Sequence, residues 1–222
     1  MINLSTTLAE LVTRNERYAP VLERAGLDYC CGGQRTLREA ALDAGLDPSQ
    51  VLGDLLRAVE PAAPPPEWTG LAPAELCRHI VDTHHRFLRE RLPELIALAE
   101  KVEGVHGGRH PELHEVRGAL QVMWSELVPH LREEEAELFP AVEAAGPLEE
   151  RMVASLGDDH EVVGALLDTL RALSSDFEPP ADGCASYQSL YRGLAELDRD
   201  IRLHVHKENN VLFPLLLERI AS

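Results

Sequence analysis

The sequence predicts an all-α protein, a small N-terminal helical domain followed by an up-down-up-down four-helix bundle. Three observations predict it. Leu, Ala and Glu are abundant while aromatic residues make up only 5% of the 222 residues, a composition that favours helices. Four long segments carry apolar residues at helical spacing, separated by short turns rich in glycine and proline. A motif of histidine, glutamate and Leu-Phe-Pro occurs twice, each residue of the second copy 74 positions after its counterpart.

The N-terminal domain, residues 1–60, begins with Ser5-Thr6-Thr7, an N-cap signal before Leu8, Leu11 and Val12. A second apolar run, Val21-Leu22, ends at Gly26. Asp28-Tyr29-Cys30-Cys31-Gly32-Gly33 follows, and helical patterning resumes at Leu37 and at Val51-Leu52-Leu55-Leu56. Three or four short helices are expected, with the cysteines at or just before a helix start. Sixty residues make a marginal core. Pro61, Pro64, Pro65 and Pro66 then favour an extended linker over 61–70, along which the N-terminal domain is expected to move. Residues 71–222 form the bundle, with helices expected over 73–103, 111–144, 148–176 and 184–220. Gly107-Gly108, Gly146-Pro147 and Pro179–Gly183 punctuate them. Short connections between long amphipathic helices make neighbours antiparallel. A protein starting near Trp68 is therefore expected to fold and keep its metal.

The repeat carries the chemistry. His130 and Glu134 precede Leu138-Phe139-Pro140; His204 and Glu208 precede Leu212-Phe213-Pro214. Residues four apart share a helix face, so each copy aims one imidazole and one carboxylate at the same point. A lone histidine precedes each copy at matched distance, His85 by 45 residues and His160 by 44. From His160 the apolar stripe Val163, Leu167, Leu170 continues on the same face, and from His85 the stripe is Leu88, Leu92, Leu95. From His84 the same steps give Phe87, Arg91 and Glu94, so the stripe selects His85. Four imidazoles and two carboxylates without thiolate suit iron or manganese better than structural zinc. With two histidines on each iron, both glutamates bridging and a solvent-derived bridge, a six-coordinate iron keeps one open position. The other histidines, His79, His84, His106, His110, His114 and His206, are expected on the solvated surface. Glu126 and Asp200 lie four residues before His130 and His204; they either accept a ligand's ring N–H or are ordinary solvated carboxylates. Phe139 and Phe213 are expected to pack in the core.

A net charge of −17 argues against nucleic acid or an anionic membrane surface as partner. No apolar run approaches a membrane span and no signal peptide is evident, so a cytoplasmic location with mostly reduced cysteines is expected. Adjacent cysteines form only a strained, easily reduced disulfide. Beside a Gly-Gly turn and at or just before a helix start, Cys30 and Cys31 are expected to have lowered pKa values and to be nucleophilic or metal-binding. Cys77 and Cys184 are read as isolated residues.

The run Leu27–Gly33 resembles the N-terminal domain of the ScdA/YtfE family, the di-iron "repair of iron centres" proteins. Thr83-His84-His85, Val105-His106-Gly107, Asp159-His160-Glu161, His204-x-His206-Lys207-Glu208-Asn209-Asn210 and the two Leu-Phe-Pro blocks resemble that family's hemerythrin-like domain. The resemblance covers nearly the whole chain. It implies an oxo- and carboxylate-bridged di-iron centre held by His85, His130, Glu134, His160, His204 and Glu208, with Cys30 and Cys31 as functional cysteines in iron transfer or redox chemistry. It implies repair of iron–sulfur clusters damaged by nitrosative or oxidative stress, by iron donation, with damaged iron–sulfur proteins as acceptors. Nitric oxide reduction or scavenging, and sensing of O2 or NO, are the alternatives, with NO or O2 as small ligands. A homodimer is left open.

Overall fold

The computed structural model describes residues 2–58 and 65–221, so the expected linker lies partly outside the described residues. In chain order the helices are α1 (Leu8–Arg14), α2 (Ala19–Arg24), α3 (Leu37–Asp43), α4 (Pro48–Ala58), α5 (Pro73–Ile80), α6 (Arg86–His106), α7 (Glu112–Glu133), α8 (Phe139–Glu143), α9 (Glu150–Leu173), α10 (Ala185–Lys207) and α11 (Phe213–Ile220). Among the described residues the only β-pairing is an isolated bridge between Thr7 and Thr36. Among the described residues no helix is long and apolar enough to cross a membrane. The chain forms two compact units, Met1–Cys77 with Arg202–Ser222, and Arg78–Ile201.

The unit Arg78–Ile201 is built on the four predicted long helices. Buried apolar residues recur every three or four positions: Leu88, Leu92, Leu95, Ala99 and Val102 on α6, Leu113, Val116, Leu120, Met123 and Leu127 on α7. Val153, Leu156, Val163, Leu167 and Leu170 do the same on α9, and Tyr187, Leu190, Leu194, Leu197 and Ile201 on α10. α6 packs on α7 and α7 on α9. α10 closes the ring. Its Gly193 lies so near Leu95 and Arg91 that a Cβ there would collide. Its Glu196 and Asp198 bond Arg91 on α6 and Arg171 on α9. Side chains that bury one stripe of each helix explain the four-helix bundle.

Three of the long helical segments contain a feature the periodicity did not predict. Each widens into one π-turn: Val81–His85 between α5 and α6, Glu134–Leu138 between α7 and α8, and Glu208–Leu212 between α10 and α11. In the last two, the N–H of Phe139 reaches the carbonyl of Glu134, and that of Phe213 reaches Glu208. The proline that follows each phenylalanine has no N–H to continue the α-ladder, which favours the wider turn there. No proline follows Val81–His85 so closely.

In the other unit the N-terminal helices are too short to stand alone and rely on caps and burial. Thr7 and Thr36 each form a capping box, with Glu10 and with Glu39, and the bridge between them ties the starts of α1 and α3 together. Leu8, Leu11, Val12, Leu22, Leu37 and Leu55 are buried. The C-terminal stretch from Arg202 belongs to the same unit. His206 there is fully buried: its ring lies edge-on to Tyr29 and Trp68, and its Nε2 is 3.2 Å from the Thr13 hydroxyl. Asn210 donates to the carbonyls of Cys30 (2.8 Å) and Tyr29 (3.3 Å), and Gln34 donates to Asn210. Gly33 allows this approach, since a Cβ would strike both the Asn210 amide and the Tyr29 carbonyl. The stretch that carries His204 and Glu208 is thus bonded to residues 13–34. This corrects the surface assignment of His206. It also argues against a metal-binding protein that is self-sufficient from Trp68 onward.

Candidate metal centre

In the unit Arg78–Ile201, His85 closes a π-turn, His130 sits in the last turn of α7, Glu134 opens the next π-turn and His160 lies midway along α9. All four are buried, Glu134 and His85 completely. Oε2 of Glu134 is 3.4 Å from His85 Nε2, and Oε1 is 3.5 Å from His130 Nε2. Neither oxygen accepts a hydrogen bond from the described residues. His160 Nε2 lies 3.0 Å from His130 Nε2. One ligand atom each from His130, Glu134 and His160 falls within 4.8 Å of the others.

The rings are oriented from behind. His85 Nδ1 is 2.7 Å from Glu135, whose carboxylate also takes Arg89 at 2.8 Å. His130 Nδ1 is 3.2 Å from Asp159. A carboxylate at Nδ1 keeps the proton there and turns the Nε2 lone pair inward, the tautomer a metal needs. Burial alone would raise the Glu135 carboxyl, but its bonds from Arg89 and His85 hold it below the usual carboxylate range. Phe139 is buried and stacks on the His85 ring, 5.7 Å between centroids. The expected packing role of Phe139 therefore includes fixing one imidazole.

In the other unit, His204 and Glu208 repeat the arrangement of His130 and Glu134. A histidine in the last α-turn precedes a glutamate that opens a π-turn, and Phe-Pro restarts the helix. Both are buried, with His204 Nε2 3.0 Å from Glu208 Oε1.

Several sequence expectations are corrected. His84 is buried, with Nδ1 2.9 Å from Asp200, so it does not face solvent and Asp200 serves His84. Glu126 is exposed. The carboxylates behind the His85 and His130 rings are Glu135 and Asp159, each next in sequence to a predicted ligand; helical spacing could not find them, because each lies on a different helical segment from the ring it bonds. His106 is buried against Cys184, with Nε2 3.2 Å from the sulfur. His114 is exposed, as expected.

Cys30 and Cys31 lie in the turn between α2 and α3, not at a helix start, because α3 begins at Leu37. Neither is in a disulfide, and their sulfurs are 3.9 Å apart. Asp28 organises the turn: Oδ1 accepts the N–H groups of Cys30 and Cys31 at 2.9 and 3.0 Å, and Oδ2 accepts Gly32 N–H at 2.8 Å. The Cys30 thiol is 3.0 Å from the same Oδ1. Its hydrogen bond to Cys31, its burial and the negative Asp28 push it well above the ordinary thiol range, the reverse of the lowered value expected.

Comparison with known proteins places these features. Residues 78–216 match the model of the hemerythrin HHE cation binding domain, and residues 4–59 match a domain of unknown function, DUF542. The iron-sulfur cluster repair protein YtfE of Enterobacter sp. (strain 638) is 34% identical over 216 residues, 95% of this chain and 96% of that protein. YtfE of Musicola paradisiaca is 35% identical over 219 residues, with 95% and 96% covered. The probable iron-sulfur cluster repair protein of Haemophilus influenzae is 34% identical over 213 residues, again 95% and 96%. With both domains matched in order and the likeness running along nearly its whole length, the chain belongs to the family of YtfE-type iron–sulfur cluster repair proteins.

Proposed function

We propose that this protein repairs damaged iron–sulfur clusters in the cytoplasm by donating iron from a di-iron centre held by His85, His130, Glu134, His160, His204 and Glu208. The observation that carries the reading is Glu134. A fully buried carboxylate whose two oxygens accept no hydrogen bond is costly unless something else compensates it. Each oxygen instead faces a different imidazole nitrogen. That is the arrangement of a carboxylate bridging two cations, and the donor set of imidazole and carboxylate suits iron. The 74-residue repeat supports His204 and Glu208 as the matching pair, and the cation binding domain match spans all six residues.

When bound, iron supplies exchangeable coordination positions and the cargo for transfer. The chain's own residues do the rest. Glu135 and Asp159 hold ring protons at Nδ1, Phe139 packs His85, and buried leucines exclude water. Cys30 and Cys31 are assigned to the transfer step, and acceptors are iron–sulfur proteins with damaged clusters.

Anaerobic iron analysis tests the centre. Glu134→Ala and Glu208→Ala should each strongly lower iron content, while His84→Ala keeps the iron and His85→Ala loses part of it. Two irons per chain in either glutamate variant would refute bridging. Iron transfer to a cluster-free acceptor tests the role; multiple-turnover consumption of nitric oxide without such transfer would replace donation by reduction.

A further inference from the structure

The Asp28–Cys30–Cys31 turn has the makings of a metal site distinct from the histidine–glutamate centre. One ligand atom from each residue lies within 4.8 Å of the others. The sulfur separation is the informative distance. A disulfide needs about 2.05 Å between sulfurs. Two thiolates on one tetrahedral cation, with bonds of about 2.3 Å, stand about 3.8 Å apart. The observed 3.9 Å, here a hydrogen bond between two thiols, is close to the spacing that the second case requires, so little movement would be needed to bind a cation. The turn is also held in place without a metal. Asp28 gathers three successive N–H groups, and Asn210 fixes the Cys30 carbonyl from the C-terminal stretch. The Asn209 amide nitrogen lies 4.0 Å from Cys31 sulfur, where it can support a thiolate. Oδ2 of Asp28 accepts a single N–H and keeps a lone pair.

We propose that Asp28, Cys30 and Cys31 bind one divalent cation of borderline softness, such as ferrous iron, through two thiolates and one carboxylate. The metal takes the place of two thiol protons, which leave to solvent, and no electron moves. Three protein ligands leave a fourth tetrahedral position for water or for a donor atom of an incoming acceptor. Cys30 is buried, Cys31 half-buried and Asp28 exposed, so the cation sits at a surface and can be handed on. This deepens the transfer reading above by giving the cysteines a ligand class and a third partner.

Cobalt(II) tests it in the full-length, iron-loaded, reduced protein under anaerobic conditions. One further equivalent should produce a thiolate-to-cobalt charge-transfer absorption, which histidine and carboxylate ligands do not give. Cys30→Ser and Cys31→Ser should each abolish the two-sulfur spectrum, and Asp28→Asn should weaken binding by about 10-fold or more. X-ray absorption at the cobalt edge of the unmutated protein should show two sulfurs with oxygen, which decides the ligand set whatever the variants do to the turn. Absence of a thiolate band, or a shell with one sulfur or none, overturns the proposal. Iron content reports separately on the histidine–glutamate centre: a protein that holds two irons but gives no cobalt–thiolate band defeats this site alone.

Discussion

Replacing Glu135 by glutamine isolates what lies behind the proposed metal ligands. Glutamine keeps the shape and an acceptor oxygen but removes the charge. The His85 Nδ1 bond to Glu135 is short, 2.7 Å, and the carboxylate is itself held by Arg89. Hydrogen bonds to a charged group contribute about 1.5–3 kcal/mol and neutral ones about 0.5–1.5, so the substitution removes about 1–1.5 kcal/mol. Glu135 is 28% exposed, which keeps the effect toward the lower end. About 1 kcal/mol is a factor of about 5, so ferrous iron should bind about 5-fold more weakly. Competition against a ferrous chelator under anaerobic conditions measures it. Asp159→Asn should cost less, because Asp159 is 51% exposed and its bond to His130 is longer, 3.2 Å. Glu135→Gln binding iron within about 2-fold of the parent would refute the claim that this carboxylate tunes His85.

Two further outcomes follow from the unit that contains both chain ends. Burial, with Lys207 adding to it, lowers the His206 pKa from 6.5 to about 4 despite its contact with the Tyr29 carbonyl. The unfolded chain therefore takes up a proton that the folded one refuses. The contribution to stability is complete above pH 6.5 and is lost as pH falls toward 4, amounting to roughly 3 kcal/mol over the window. Urea unfolding of the metal-free protein between pH 7 and 4 should show this loss, and His206→Gln should flatten it; an unchanged slope in the variant would sink the assignment. A protein beginning at Trp68 should be less stable and hold less iron than the full chain. It strips His206 and Asn210 of Thr13, Tyr29, Cys30 and Gln34, bonds worth about 0.5–1.5 kcal/mol each. Full iron content and an unchanged unfolding midpoint would show that these bonds do not support the helix bearing His204 and Glu208.

Sequence alone determined the helical class, the four long segments and the pairs His130–Glu134 and His204–Glu208. Each of these rests on local periodicity, and a period read along one helix says which side chains share a face. The stripe Leu88, Leu92, Leu95 likewise picked out His85, whose ring does face Glu134. Periodicity is silent about what arrives from another helix. Glu135 behind His85, Asp159 behind His130, Asp200 against His84 and the buried His206 are all set by side chains that meet only after folding. The π-turns escaped for a related reason: an apolar pattern says which face is buried and not which carbonyl a single N–H reaches, although the Leu-Phe-Pro repeats marked where two of them fall. Cys30 shows the same division. Its neighbours in sequence suggested an activated thiol, whereas the hydrogen bond to Cys31, burial and the facing Asp28 carboxylate, all products of the folded turn, push its proton affinity the other way.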